Sequence, residues 1–126
     1  MSGGILVAWN PLVANLKPYL IFAGLLLEGN IRGFAEKIKV VNCYAPYNGR
    51  RVFWENIRHS GIPSEYNLIF NGDHNFTLLG EEVWGENART DELADYFSYM
   101  LRDNFLIDTR PCKLIPTWRN GCSGNY

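Results

Sequence analysis

EKIKVVNCYAPYNGRRVFWENIRHSGIPSEYNLIFNGD, residues 36–73, changes its hydrophobic period twice. Over residues 36–45 the pattern alternates. Ile38, Val40, Asn42 and Tyr44 share one face, and Val41 and Cys43 share the other, which is the period of a strand. Residues 45–49, APYNG, read as a loop. From residue 50 to residue 61 the spacing lengthens. Phe53 and Ile57 stand at i,i+4, His59 lies in the last turn and Gly61 supplies a stop, which predicts a short helix. Residues 66–73, YNLIFNGD, return to a short apolar run that predicts a second strand.

The rest of the chain is read outward from this segment. GGILVAW, residues 3–9, is a compact apolar run closed by the turn signal Asn10-Pro11, and predicts a buried strand. Residues 19–27, rich in Leu, Ile and Phe, predict another. EGNIRG, residues 28–33, breaks that run with two glycines, so residues 19–27 and 36–45 are expected to form an antiparallel pair. A polar loop with Gly80 and Gly85 follows the strand at residues 66–73. Residues 90–104 carry the clearest helical pattern. Thr90 is a candidate N-cap, Asp91 and Glu92 suit the first turn, and Leu93, Phe97, Met100 and Leu101 form an apolar stripe that belongs to a core. FLID (residues 105–108) and IPTWR (residues 115–119) read as strand ends. Strands and helices in this order define an α/β arrangement.

At 126 residues the chain is expected to form a single domain, residues 1–126, long enough to bury a core. It is 47% hydrophobic and 20% charged, which excludes a disordered or fibrous class. The net charge of −1 gives no overall basic field, so any phosphate recognition must be local or depend on a metal. Arg32, Lys37, Lys39, Arg50, Arg51 and Arg58 favour the first half; Glu81, Glu82, Glu86, Asp91, Glu92 and Asp95 cluster later. That unevenness reads either as two solvated faces or as a basic rim near residues 48–51. Cys43, Cys112 and Cys122 are odd in number and lack C-x-x-C spacing, so neither a disulfide partner nor a zinc site is expected. Reduced thiols and no visible signal peptide point to a nuclear or cytoplasmic location rather than secretion. The apolar run YLIFAGLLLEG is too short to span a bilayer, so no membrane association is expected. The sequon at Asn75, NFT, is then a coincidence.

One stretch could carry chemistry. Gly72-Asp73 places a carboxylate where the backbone leaves a sheet, and Asn75 follows two residues later. A carboxylate can orient or deprotonate a water, and an amide can donate to a phosphoryl oxygen, so the pair suits phosphodiester chemistry. The same residues also make an Asx-type turn that closes a strand, and spacing alone favours the turn. Tyr44 reads equally as a half-buried strand aromatic with a satisfied hydroxyl. His59 is most simply a polar residue at a helix C-terminus.

NCYAP (residues 42–46), a helix, NGDHN (residues 71–75) and PTW (residues 116–118) occur in that order. The series resembles the endonuclease/exonuclease/phosphatase superfamily, the DNase-I-like fold. GGILVAWNP, VNCYAPYNGRRVFWE, NGDHNFTLLGEEVWG, ARTDELADYF and LIDTRPCKLIPTWRNG resemble, more narrowly, the endonuclease domain of plant non-LTR (LINE-type) retrotransposons. The resemblance covers nearly the whole chain and lies in the order and spacing of its pieces. It implies two β-sheets packed face to face between outer helices. It implies hydrolysis of phosphodiesters or phosphomonoesters with Mg²⁺ or Mn²⁺, DNA as the partner, and a parent polyprotein that includes a reverse transcriptase. The superfamily's G-D-x-N motif falls on Gly72, Asp73, His74 and Asn75. Asp73 would activate or position the attacking water, and Asn75 would bind the phosphate or assist the metal together with Asp73. The Tyr of the Y-x-P motif falls on Tyr44, whose hydroxyl would contact the scissile phosphate. Asn48 is the candidate for the Asn that commonly follows that motif, displaced by the intervening Tyr47. Trp118 is expected in the core. His74 occupies a position that is usually apolar or aromatic, so it is expected to face the core.

Three parts of the superfamily's pattern are absent from residues 1–126: an N-terminal strand carrying an Asn, a Gln-Glu motif whose Glu is the principal metal ligand, and a terminal Ser-Asp-His segment. The expectation is an incomplete two-sheet α/β sandwich that lacks its N-terminal and C-terminal strands. As a fragment of a divalent-metal-dependent phosphodiesterase it is expected to be inactive alone, because a hard cation loses its main oxygen ligand and groups that act as a unit fail together. Two other readings stay open: a non-catalytic binding or assembly module, and a small-molecule phosphatase of the same superfamily completed by a partner.

Overall fold

The computed structural model describes residues 4–82 and 90–109. The chain divides into two compact units, Met1–Asn75 and Phe76–Tyr126. The first unit holds a four-stranded sheet of β1 (Ala14–Ile21), β2 (Gly24–Ile31), β3 (Ile38–Tyr44) and β4 (Leu68–Asp73), in that spatial order. β1–β2 and β2–β3 are antiparallel; β3–β4 is parallel. A parallel neighbour needs a crossover, and α1 (Arg50–His59) provides it. The fold of the described residues is therefore α/β, with a mixed sheet.

The register sorts the side chains of the sheet into two faces. Tyr19, Leu26, Val41 and Phe70 lie in one row across all four strands. Cys43 and Gly72 pair one step along the same face. α1 packs there. Its Trp54 ring lies 5.9 Å from Phe70, and Trp54, Ile57, Val41 and Cys43 are all buried. Trp54 follows the predicted anchor Phe53 by one residue, and Phe53 is half-buried with its ring 6.1 Å from Phe22. The opposite face carries Leu25, Asn42 and Asn71 in one row and Leu27, Val40 and Ile69 in the next.

Two predicted strands are differently placed. Residues 4–10 form no regular structure; Asn10 instead makes the expected turn, its side-chain oxygen accepting from the Leu12 N–H at 2.9 Å and its carbonyl from Val13 and Ala14. A continuous apolar run does not distinguish a strand from an extended segment that merely packs, and Ile5 does pack, against Gly24. Residues 19–27 are not one strand but a hairpin, in which Ile21 pairs with Gly24 across Phe22 and Ala23. Gly24, at φ 141° and tight against the Asn42 carbonyl, is the turn's only compositional mark. β1 was hidden because Pro18 interrupts it; the strand lies at a sheet edge, where a missing N–H is tolerated. β2 runs on to Ile31, through the predicted break, and the turn falls at Arg32 and Gly33.

The second unit holds α2 (Ala94–Asp103). Phe97 and Met100 of the predicted stripe are buried, Leu93 and Leu101 are half-buried, and Ala94 is buried beside them; Phe76 stacks on Phe97 at 3.9 Å. The helix begins three residues later than Thr90 would allow as an N-cap. Asp91 accepts instead from the Leu93 N–H at 2.9 Å and holds the preceding turn. Residues 106–109, within and beyond the predicted strand end FLID, have no regular structure. IPTWR with Trp118, and the thiols of Cys112 and Cys122, lie outside the described residues. Among the described residues no helix is long and apolar enough to cross a membrane.

Candidate functional site

In a parallel pair joined by a helix, both strands finish at the same end. The carboxyl ends of β3 and β4 therefore open side by side, and Tyr44 is paired with Asp73 in the last row of the ladder. Paired residues project to the same face, with strands about 4.8 Å apart. Both side chains are exposed. The start of α1 lies at this same end, because only residues 45–49 separate it from β3. The crevice beyond the carboxyl ends of such strands is where open α/β sheets hold ligands.

Gly72 makes the approach of the two strands possible. Its φ is +124°, and a Cβ built there would lie 1.9 Å from the Cys43 carbonyl oxygen. No side chain fits, so the glycine before the aspartate is required by the backbone of the neighbouring strand. Cys43 itself is buried. Its thiol is pushed up to about 12, first by that burial and then by the Asp73 charge. Burial thus holds the thiol in its protonated form at neutral pH.

After Asp73 the chain folds back. The Asp73 carboxylate oxygen Oδ1 accepts from the Asn75 N–H at 3.1 Å, which is an Asx turn. Asn75 adopts φ 50°, a left-handed conformation that asparagine tolerates better than most residues. Extended geometry thus ends before Asn75, and its side chain does not stand beside that of Asp73. Asn75 Nδ2 donates to the Ala45 carbonyl at 2.5 Å instead, while the Ala45 N–H donates to the Asp73 carbonyl at 2.8 Å. The turn reading of NGDHN is realised, and the turn holds the two loops together. His74, half-buried, packs edge-on against Trp54 at 5.5 Å and lies 6.0 Å from Phe70. It faces the helix-covered side, as its place in the motif suggests.

The arginine of this corner carries a role that the motif alone did not assign. Arg50 is the first residue of α1, and its Nη1 donates to the Asn75 carbonyl at 2.8 Å. Arg51, the next residue, bonds Glu55 at 3.1 Å along the helix. Asn48 is exposed in the turn just before. Gly49, the N-cap, is left-handed at φ 73°, offers no side-chain cap, and no acidic residue occupies the first turn. Two arginines at the positive end of a helix dipole oppose the usual charge preference. The signal in the sequence is a basic pair directly after a loop, which by itself fits solvated faces as well as a basic rim. Residues Tyr44, Asp73, Arg50 and Asn48 thus share one end of the sheet. Asn75 belongs to the scaffold of that end, and His59 lies at the far end of α1.

Among the described residues no three of His, Cys, Asp and Glu form a group that could hold a metal ion. Asp73 supplies one carboxylate, whereas Mg²⁺ seeks near-octahedral oxygen coordination. The described residues alone do not fit a complete Mg²⁺ or Mn²⁺ site. No protein-family model matches the chain, and no curated protein matches its sequence.

Proposed function

We propose that the chain holds the central part of a phosphodiester-binding site of DNase-I-like type, from a divalent-metal-dependent DNA endonuclease of the retrotransposon kind, built on a two-sheet α/β sandwich. The observation that carries the reading is the pairing of Tyr44 with Asp73 at the open carboxyl end of a parallel pair. The uncapped, arginine-bearing start of α1 at that end supports it. A phosphodiester carries one negative charge. The positive end of the helix dipole, with the Arg50 and Arg51 side chains beside it, attracts that charge. The Tyr44 hydroxyl is a donor for a phosphoryl oxygen, and the Asp73 carboxylate is an acceptor for the proton of a water. Asn75 acts by positioning: it fixes Ala45, and hence the direction in which Tyr44 leaves the sheet. Mg²⁺ or Mn²⁺ would neutralise charge on the phosphate; Asp73 could lend it one oxygen, and the other ligands would have to come from elsewhere.

The test is a titration of the isotopically labelled chain with a dinucleoside phosphodiester in Mg²⁺ buffer, followed by amide shifts. Shifts should concentrate at Tyr44, Asn48, Gly49, Arg50 and Asp73, and should vanish in Asp73→Ala with Arg50→Ala. A response scattered over the surface, or none, sinks the reading. Residues 1–126 by themselves should not nick supercoiled plasmid in Mg²⁺; nicking that Asp73→Ala abolishes would show that the site is already complete.

A further inference from the structure

Tyr47 has no part in the chemistry above, and its placement is unusual. It sits at the crest of the turn between β3 and α1, 83% exposed. The turn is anchored at both sides of it. Ala45 is buried and tied to Asp73 and Asn75 of the β4 end through its N–H and its carbonyl. Pro46 is half-buried. Gly49 begins α1, its carbonyl accepting from the Phe53 N–H at 3.1 Å. A large ring is therefore displayed on a short ledge whose backbone is already ordered. Such a tyrosine offers a flat face with two rotatable side-chain bonds, so little entropy is lost when a ligand covers it. Within the run of residues 44–51 the charges are Arg50 and Arg51; Asp73 is paired with Tyr44 and Glu55 with Arg51.

These features together suit one ligand chemistry. An anion at Tyr44 and the start of α1, with a planar apolar group reaching the next exposed side chain, describes a phosphate with its attached nucleobase. We propose that Tyr47 is a stacking platform for an unpaired base of the DNA strand whose backbone lies at Tyr44 and Asp73. The inference rests on the phosphodiester reading and narrows it. The substrate is a polynucleotide strand with an accessible base face, not a small phosphate ester. Bases buried in a regular duplex cannot offer that face, so single-stranded or locally unpaired DNA is preferred. Arg51, 64% exposed in its side chain and held at the first turn by Glu55, lies on the same run and favours the strand's backbone.

The experiment measures binding of the 126-residue chain, in Mg²⁺ buffer, to a labelled single-stranded oligonucleotide and to an abasic strand of equal length. The wild type should bind the base-bearing strand more tightly. Tyr47→Ala should weaken binding of that strand by about five-fold or more and leave the abasic strand unchanged. Tyr47→Trp should retain the preference. If Tyr47→Ala leaves the ratio between the two strands as it was, stacking is overturned while the phosphodiester reading stands. If neither strand binds the wild type, both readings fall. Because Tyr47 is exposed, the alanine variant is expected to keep the wild-type circular dichroism and melting temperature, which separates loss of stacking from loss of fold.

Discussion

The two ten-residue helices depart from ordinary helix construction at opposite ends. α1 finishes well: Arg58 and His59 occupy its last turn, Ser60 caps it, and Gly61 takes the left-handed position at φ 77°. It starts badly, with two arginines, a left-handed Gly49 and no side-chain cap. α2 is the reverse. Asp95 lies in its first turn and Asp91 braces the approach. At its end Phe105, 93% exposed, is left-handed at φ 55° where glycine is the usual choice. The hydrogen bonds there are nonetheless those of a Schellman ending, Phe105 N–H to the Arg102 carbonyl and Leu106 N–H to the Leu101 carbonyl. A local rule broken beside exposed polar residues at a sheet end has a different meaning from one broken at a helix C-terminus. In α1 the fault puts positive charge at the same end of the sheet as Tyr44 and Asp73; in α2 it puts a left-handed aromatic where glycine is usual.

Four variants test that contrast. The largest effect is expected for Gly72→Ala, which drives a methyl into the Cys43 carbonyl at a positive φ. Combined overpacking and backbone strain should cost about 3–5 kcal/mol, read as a lowered denaturant midpoint. A variant as stable as the wild type would mean that β3 and β4 can separate, and that the corner is not rigid. Arg50→Ala should cost about 1.5–3 kcal/mol, because it removes a charged hydrogen bond to the Asn75 carbonyl. Should the chain prove indifferent to it, the Arg50–Asn75 hydrogen bond does not hold the corner together. Phe105→Gly works in the other direction. Relief of a left-handed aromatic should raise stability by about 1 kcal/mol, seen as a higher melting temperature; no gain would show that Phe105 makes contacts that offset its strain.

The smallest effect is the most informative. Val52 is 62% exposed in the first turn of α1. Val52→Glu supplies the missing acidic residue and should stabilise the fold by about 0.3–1 kcal/mol in low salt. The same charge should weaken binding of a dinucleoside phosphodiester. A helix that becomes more stable while its ligand affinity falls would show that the poor start is kept for binding; a gain in both would break the contrast.

Much of the first unit was legible. The period change across residues 36–73 located β3, α1 and β4, because a strand, a helix and a strand of ordinary length each keep their own rhythm. The α2 stripe was legible for the same reason. The hairpin of β1 and β2 was not. Its turn, Phe22-Ala23, lacks the Asn-Gly or Asp-Gly composition that marks a two-residue loop, and Pro18 disguises an edge strand as a break. Asp73 and Tyr44 could be named from their motif, and the register then brought them together. The fate of Asn75 could not be read from spacing. Whether an asparagine two residues past a strand extends or turns back depends on a carbonyl thirty residues earlier in the chain, that of Ala45. Arg50 was visible as charge, but its reach to Asn75 depends on where the crossover delivers the helix start.

That thirty-residue span between Ala45 and Asn75 has a consequence for the order of assembly. Joining its ends as a free loop would cost about 3 kcal/mol in chain entropy, more than one hydrogen bond returns. The clasp can close only after β3, α1 and β4 have already brought its ends together. It is then the last part of the unit to form and the first to release, while the ladder beneath it stays shut. In hydrogen exchange the Ala45 amide should trade its proton faster than that of Val41, through brief local openings that need no global unfolding. The ledge that carries Tyr47 shares that clasp as its hinge, so covering the ledge with a ligand should slow the exchange of Ala45.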